Sequence, residues 1–214
     1  MNLFQSNPDH HHVHIIGIIG GIASGKSLAT EYFRQLGAAV LDADGVAHEV
    51  LSEPDVVAAL RERWGDEILD DAGQIERTAL AEIVFGSSNS SREELKYLEK
   101  LVHARIGDRL RQELAGFDES RVVVLDAAVM VKTGWDKFCN QILFVDAGRE
   151  LRLHRARQRG WDENEFSRRE SAQVSLEKKR SLADFVLENN GTLPHLQRQI
   201  SDFWDSHLDL DMRN

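Results

Sequence analysis

Short apolar runs alternate along this chain with longer segments in which apolar residues recur every three or four positions. Uninterrupted apolar runs are typical of parallel strands buried on both faces, and the spacing of three to four is typical of helices packed against them. The predicted strands are 13–19, 38–41, 121–125, 141–145 and 183–187. The predicted helices include 26–36, 46–51, 56–64, 78–85, an amphipathic stretch between 95 and 114, and 194–208. This alternation predicts an α/β fold with a doubly wound parallel sheet.

A glycine-rich loop follows the first predicted strand directly. Residues 20–27 read GGIASGKS, which matches the pattern G-x-x-x-x-G-K-[ST]. Glycines let the backbone approach phosphate oxygens, and the N-terminus of the following helix favours an anion. Lys26 is expected to reach the β and γ phosphates of ATP, and the Ser27 hydroxyl is expected to bind Mg²⁺. The alternative, an ordinary glycine-rich turn, is disfavoured by the flanking strand and helix. The predicted nucleotide contacts are Gly20, Gly21, Ile22, Ala23, Ser24, Gly25, Lys26 and Ser27.

Two predicted strands are followed by acidic residues. Asp44 comes shortly after the second strand, and Asp126 directly follows the third. Ligands of open α/β sheets bind at the carboxyl ends of the strands, so both carboxylates are candidates for the same site. The alternative for Asp44 is an N-cap of helix 46–51, and the alternative for Asp126 is a simple turn residue.

About seventy residues separate the second and third strands, which is too long for an ordinary crossover. This region is predicted to be a helical insertion that holds a second substrate. His103, on its long amphipathic helix, is interpreted from the residues alone as a packing or surface histidine. Basic residues in the insertion are expected to supply local positive charge for an anionic acceptor. They are Arg61, Arg63, Arg77, Arg105 and Arg109.

A basic segment begins at Arg149, and three of its arginines, Arg152, Arg155 and Arg159, fall on one helical face. One interpretation is a solvated helix whose charges are balanced by acidic neighbours. In a protein that binds phosphate, the same clustering indicates a lid whose arginines close over the transferring group.

The composition narrows the class of partner. A formal net charge of −10 argues against binding to nucleic acid or to acidic membranes, because both require a broad basic surface. The longest apolar run is too short to span a bilayer, and no basic segment precedes it as in a signal peptide. The single Cys139 cannot form an internal disulfide. We expect a cytoplasmic protein that is a monomer or a small homo-oligomer.

Several motifs occur in order along the chain, and together they are far more specific than the loop alone. They are GGIASGKS at 20–27, LDADGVAHEV at 41–50, the leucine-rich helix with His103, LDAAVMVKTGWDK at 125–137, the pair Arg155 and Arg159, and AQVSLEKKRSLADFVLENNG at 172–191. This succession resembles the dephospho-CoA kinase family from about residue 15 to the C-terminus.

The resemblance implies a P-loop NTPase-type core with a helical CoA-binding insertion and a helical lid. Its substrates would be ATP and dephospho-CoA, with Mg²⁺ as cofactor, and its reaction would phosphorylate the ribose 3′-hydroxyl in the last step of coenzyme A synthesis. Asp44 matches the catalytic aspartate of the family, Arg155 matches its lid arginine, and Asn190 with Gly191 matches a loop bordering the adenine. The resulting division is an extension at 1–12 and one kinase domain at 13–214, with core segments 13–44, 117–148 and 181–214, insertion 45–116 and lid 149–180.

The chain departs from the family pattern at four positions, where Thr, Pro, Pro and Glu are usual: Ile19, Ala104, Ala128 and Lys132. None of them removes a group that the chemistry requires. Other classes remain to be separated by experiment, namely a nucleoside monophosphate or small-metabolite kinase and a nucleotide-binding regulator. A GTP-dependent switch is disfavoured because no N-K-x-D motif occurs, and an ATP-driven motor because Ala127 stands where such proteins usually carry Glu.

Overall fold

The computed structural model describes residues 13–84, 89–117, 122–127 and 129–208. The predictions for the extension at 1–12, for residues 85, 87, 88 and 121, and for Ala128 lie outside these ranges. The strands are β1 His14–Gly20, β2 Ala39–Asp42, β3 Val122–Asp126, β4 Gln141–Asp146 and β5 Phe185–Glu188. The helices are α1 Lys26–Gln35, α2 Ala43–Val50, α3 Pro54–Trp64, α4 Arg77–Val84, α5 Asn89–Ala115, α6 Met130–Thr133, α7 Arg149–Gln158, α8 Glu163–Ser171, α9 Leu176–Leu182 and α10 Leu193–His207.

The five strands form one sheet in the order β2-β3-β1-β4-β5, and every neighbouring pair is parallel. The doubly wound parallel sheet predicted from the apolar pattern is therefore confirmed. The chain leaves β1 toward one edge of the sheet and leaves β3 toward the other, which opens a crevice at the carboxyl end of β1. Asp126 ends β3 in register with Ile18 of β1 and Asp42 of β2, and so lies at that edge.

The central strands are apolar because both of their faces are covered. Ile16 and Ile18 of β1 are fully buried, as is Phe33 of α1, which packs edge-on against Phe203 of α10 at a centroid distance of 6.0 Å. Burying one such side chain contributes about 1.5–3 kcal/mol. This core fixes β1 and α1, and thereby the two ends of the glycine-rich loop.

The chain divides into two compact units. The first contains the sheet and comprises the described residues up to Asp42 and from Gly116 onward, and the second is the helical segment Ala43–Ala115. The second unit has its own apolar interior, to which α2 to α5 contribute residues spaced by three and four. Its buried residues include Val46, Val50, Val56, Leu60, Leu80, Val84, Val102, Ile106 and Leu110.

Two helices begin differently from the prediction. Helix α2 begins at Ala43, so Asp44 lies within its first turn, and the helix does not start after an Asp44 cap. Helix α5 begins at Asn89, so Ser90 and Ser91, which precede the amphipathic stretch predicted between 95 and 114, are helical. Ser91 is buried, and tertiary packing of this kind outweighs the weak helix propensity of serine.

Candidate functional site

The glycine-rich loop connects the end of β1 to the start of α1 by a tight turn. Gly25 has φ +100° and Ala23 has φ +58°, so two residues of the loop adopt left-handed backbone angles. The Ser24 amide donates to the Gly21 carbonyl at 3.1 Å, which closes the turn. The amides of Leu28 and Ala29 donate to the Gly25 carbonyl, which extends the helical pattern back into the loop.

Side chains from other segments pack closely against two glycines of the loop. A Cβ atom at Gly25 would overlap the side-chain amide of Asn189, and one at Gly21 would come within 2.9 Å of Leu176 Cδ2 and 3.1 Å of Arg152 Nη1. The positive φ of Gly25 also favours glycine, since residues that carry a side chain rarely adopt this backbone angle. Asn189, Leu176 and Arg152 therefore pack against the backbone of the loop.

A cavity of about 400 Å³ lies over the loop, within the size range of small-molecule sites. The buried Ser24 hydroxyl, which belongs to a lining residue, has no hydrogen-bond partner within the part of the chain that the structure describes. A buried orphan hydroxyl is rare and needs a ligand or water to satisfy it. The lining includes Ile19 to Leu28, Ala127, Val131, Arg155, Gln158, Arg159, Trp161, Gln173, Lys179 and Asn189.

The loop lysine is paired with the acid at the end of β3. Lys26 forms an ion pair with Asp126, and Thr30 of α1 donates from Oγ1 to the other carboxylate oxygen of Asp126 at 3.0 Å. Both charged side chains are largely buried, with 20% of Lys26 and 14% of Asp126 exposed. The structure thus brings together Lys26 and Asp126, two charged residues that the sequence marks as candidates for the nucleotide site.

Arg155 of α7 lies against the loop backbone. Its guanidinium donates to the carbonyls of Ser24 at 3.0 Å, Ala23 at 3.4 Å and Asn189 at 3.1 Å. Burial lowers the pKa of Arg155, and the nearby charge of Arg159 lowers it further. Carbonyl partners fix the side chain without neutralising it, so Arg155 keeps its positive charge at this cavity.

Comparison with known proteins shows the family to which this chain belongs. The family model described as dephospho-CoA kinase matches residues 14–195. The chain belongs to the dephospho-CoA kinase family. A curated dephospho-CoA kinase of Synechocystis sp. is 36% identical over 194 residues, covering 89% of this chain and 94% of that protein.

Solved structures show the same fold. The structure of TT1252 from Thermus thermophilus is 34% identical, with a TM-score of 0.79 over 91% of this chain and 97% of the other. A dephospho-CoA kinase from Campylobacter jejuni matches with a TM-score of 0.68 at 23% identity, over 89% and 95% of the two chains. The P-loop kinase fold class and the family predicted from the motifs are confirmed. The chain is accordingly an ATP-dependent kinase of coenzyme A synthesis.

Buried polar residues also line the loop cavity besides the predicted site residues. Lys179 is 4% exposed and Asn189 is 3% exposed, and both line the loop cavity. The Asn189 amide donates to the Ser24 carbonyl at 2.7 Å. The predicted residue Asn190 accepts from the Gly148 amide at 2.7 Å, and neither it nor Gly191 is among the lining residues. Their contact with adenine stays a prediction.

The kinase base predicted by resemblance, Asp44, belongs to the helical unit. It lies in the first turn of α2, two residues after Asp42. Its side chain has interactions within the protein. Ser27, the predicted Mg²⁺ ligand, is exposed at the first turn of α1 and lines the loop cavity.

The helical unit of this kinase has a larger cavity of its own, about 650 Å³, lined by Tyr97, Arg105 and Arg109 among others. Its arginines are paired with acids. Arg105 bonds to Glu53 and Asp55, and Arg109 donates to Glu53 at 3.0 Å. Arg61 and Arg63, two further members of the group predicted to supply positive charge for the acceptor, are paired as well, with Asp66 and Glu94. The loop cavity is therefore the better candidate for phosphate. The role of this group toward the acceptor stays a prediction.

No helix among the described residues combines the length and apolar character needed to cross a bilayer. The same residues contain no cluster of three or more His, Cys, Asp or Glu side chains suited to a metal. Cys139 is half-buried, and burial raises the pKa of its thiol to about 12. At neutral pH it is therefore a protonated thiol, which is a poor nucleophile.

Proposed function

We propose that the loop cavity binds the triphosphate of ATP and that the γ-phosphoryl group passes to the ribose 3′-hydroxyl of dephospho-CoA. The observation that carries this proposal is the position of Lys26, which starts α1 in the loop cavity beside Asp126. Phosphoryl transfer needs positioning and charge stabilisation more than covalent chemistry. The loop amides, Lys26 and the helix N-terminus supply both at one place.

The donor set in this region also suits Mg²⁺. Mg²⁺ prefers oxygen ligands and commonly uses one or two protein groups together with substrate phosphates. The Ser27 hydroxyl and the Asp126 carboxylate are oxygen donors, and Thr30 orients the carboxylate. We assign Ser27 and Asp126 to hold the ion, which would neutralise charge on the β and γ phosphates.

Arg155 and Arg159 are assigned to stabilise the transferring group. Both line the loop cavity, and the partners of Arg155 are uncharged carbonyls. A bound phosphate that carries several negative charges would gain from these cations in a site where water is partly excluded. The forked guanidinium suits phosphate oxygens better than an ammonium does.

Asp44 is assigned as the base that accepts the hydroxyl proton. It lies in the first turn of α2, two residues after the end of β2, and by resemblance it matches the catalytic aspartate of the family. A positioned carboxylate of this kind contributes roughly 10² to 10⁴ in rate. The helical unit, Ala43–Ala115, is assigned to the acceptor, and α7 to α9 to the lid.

A comparison of acceptors tests the proposal. With ATP fixed, kcat/KM for dephospho-CoA is expected to exceed that for AMP or adenosine by at least about 10²-fold, because remote contacts position the reacting hydroxyl. A coupled assay that follows ADP measures all three. Similar values would refute dephospho-CoA as the acceptor and leave a less specific P-loop kinase.

A further inference from the structure

Lys179 of α9 is a buried ammonium group at the back of the loop cavity. It donates to the Gly20 carbonyl at 2.8 Å and to Gln173 Oε1 at 2.7 Å. These are its only bonds within the described parts of the chain, and an ammonium has three N–H donors. Since Lys179 also lines the cavity, one donor is left for a ligand there.

The charges around Lys179 are unfavourable for an ammonium. Lys26 of α1 and Arg152 of α7 both act on it with positive charge, whereas β1 contributes a neutral carbonyl and the segment before α9 a neutral amide. The carboxylates nearby in the fold are engaged elsewhere, Asp126 with Lys26 and Glu170 with Arg152. Burial, then Lys26 and Arg152, lower the pKa of Lys179 from 10.5 to about 8.

A buried cation with no anionic partner destabilises the fold, and a second cation beside it adds to the cost. A bound polyphosphate would remove this repulsion. The arrangement therefore resembles an anion site more than a structural tether, for which a neutral donor would suffice.

We propose that Lys179 is a second phosphate-binding lysine of the loop cavity, holding the Gly20 carbonyl with one N–H and donating another to the polyphosphate of the nucleotide. The proposal rests on the assignment of this cavity to ATP. It does not depend on which acceptor is phosphorylated.

Proton uptake during nucleotide binding tests this proposal on the wild-type protein. Because the pKa of Lys179 is lowered to about 8, part of its population is neutral in the free protein at pH 8, and a bound anion would raise the pKa. Binding of ADP with Mg²⁺ should then take up a fraction of a proton, and affinity should fall as pH rises from 7 to 9. Calorimetry in buffers of different ionisation enthalpy measures the uptake. No uptake, with affinity independent of pH, would overturn the proposal even if no variant folds.

Two matched variants assign the proton to the residue. Lys179→Met should weaken ADP binding by about 10- to 100-fold and abolish the uptake at pH 8. Lys178→Met removes an exposed neighbour and should change neither. Uptake that persists in Lys179→Met, or equal ADP affinity in the two variants, would contradict the proposal. Because no acceptor is present, these results are independent of whether dephospho-CoA is phosphorylated.

Discussion

The two cavities of this kinase both contain several basic side chains, but their partners differ. In the loop cavity, Arg155 and Lys179 bond mainly to backbone carbonyls. In the helical unit, Arg105 and Arg109 bond to the carboxylates of Glu53 and Asp55. A carbonyl fixes a cation and leaves its charge, whereas a carboxylate cancels it. Lys26 is the exception in the loop cavity, because it pairs with the carboxylate of Asp126. The contrast between the cavities therefore rests on Arg155 and Lys179, whose partners leave positive charge for a phosphate in a protein of net charge −10.

The largest effect is expected at the loop lysine. Lys26→Ala should lower kcat by at least about 10³-fold, because it removes a cation directed at charge that develops on the phosphate. Steady-state assay with thermal melting separates this from misfolding. Lys178→Ala, an exposed lysine of the same unit, should behave as wild type. Near-normal turnover of Lys26→Ala would refute the loop assignment.

Replacement of the proposed base should have the next largest effect. Asp44→Asn keeps the shape of the side chain but cannot take a proton, so kcat should fall by roughly 10² or more. The first-turn charge that the variant loses contributes about 0.3–1 kcal/mol to helix stability. Asp55→Asn, which changes a first-turn acid of α3, is the matched control and should keep its rate. Loss of stability without loss of rate would mean that Asp44 serves only the helix.

The lid arginine tests whether fork geometry matters in the loop cavity. Arg155→Lys keeps the charge but cannot reach three carbonyls and a phosphate together, so kcat/KM should fall roughly 10- to 100-fold. Arg157→Lys is the control, because Arg157 is exposed and pairs with Glu163. Equal kinetics for the two variants would indicate that this segment is only a solvated basic face.

The smallest effect is expected where the charge is already cancelled. Arg105→Ala should leave KM for ATP unchanged within about twofold, since exposed ion pairs contribute little and are screened by salt. Titration of dephospho-CoA against the variant examines the acceptor as well. A rise in acceptor KM of more than about tenfold would restore the insertion arginines as ligand contacts and weaken the contrast between the cavities.

The sequence alone was sufficient for the sheet and the loop, because an apolar run of strand length followed by GGIASGKS allows few other structures. It could not decide which of two neighbouring residues of the same type faces the site. Lys178 and Lys179 differ by about 100° around α9, and only the packing of that helix shows which one is buried. Asn189 and Asn190 pose the same problem at the end of β5, where alternate side chains point to opposite faces.

The start of α2 and the state of the insertion arginines were unpredictable for related reasons. Gly45 lies inside α2 although glycine disfavours helix, because the burial of Ala43 and Val46 outweighs its cost of about 1 kcal/mol. Except for Asp66, which lies five residues from Arg61, the arginine partners lie far away in sequence, as with Arg105 and Glu53. Long-range pairing of this kind depends on the packed helices and leaves no local pattern.

The most direct test of the account compares the formation of coenzyme A from ATP and dephospho-CoA by wild type, Lys26→Ala and Arg105→Ala. Phosphorus NMR of the ribose 3′-phosphate detects the product. The account predicts product at similar rates for wild type and Arg105→Ala and at least about 10³-fold less for Lys26→Ala. Comparable product from Lys26→Ala, or loss of product only in Arg105→Ala, would contradict the assignment of the phosphate site to the loop cavity.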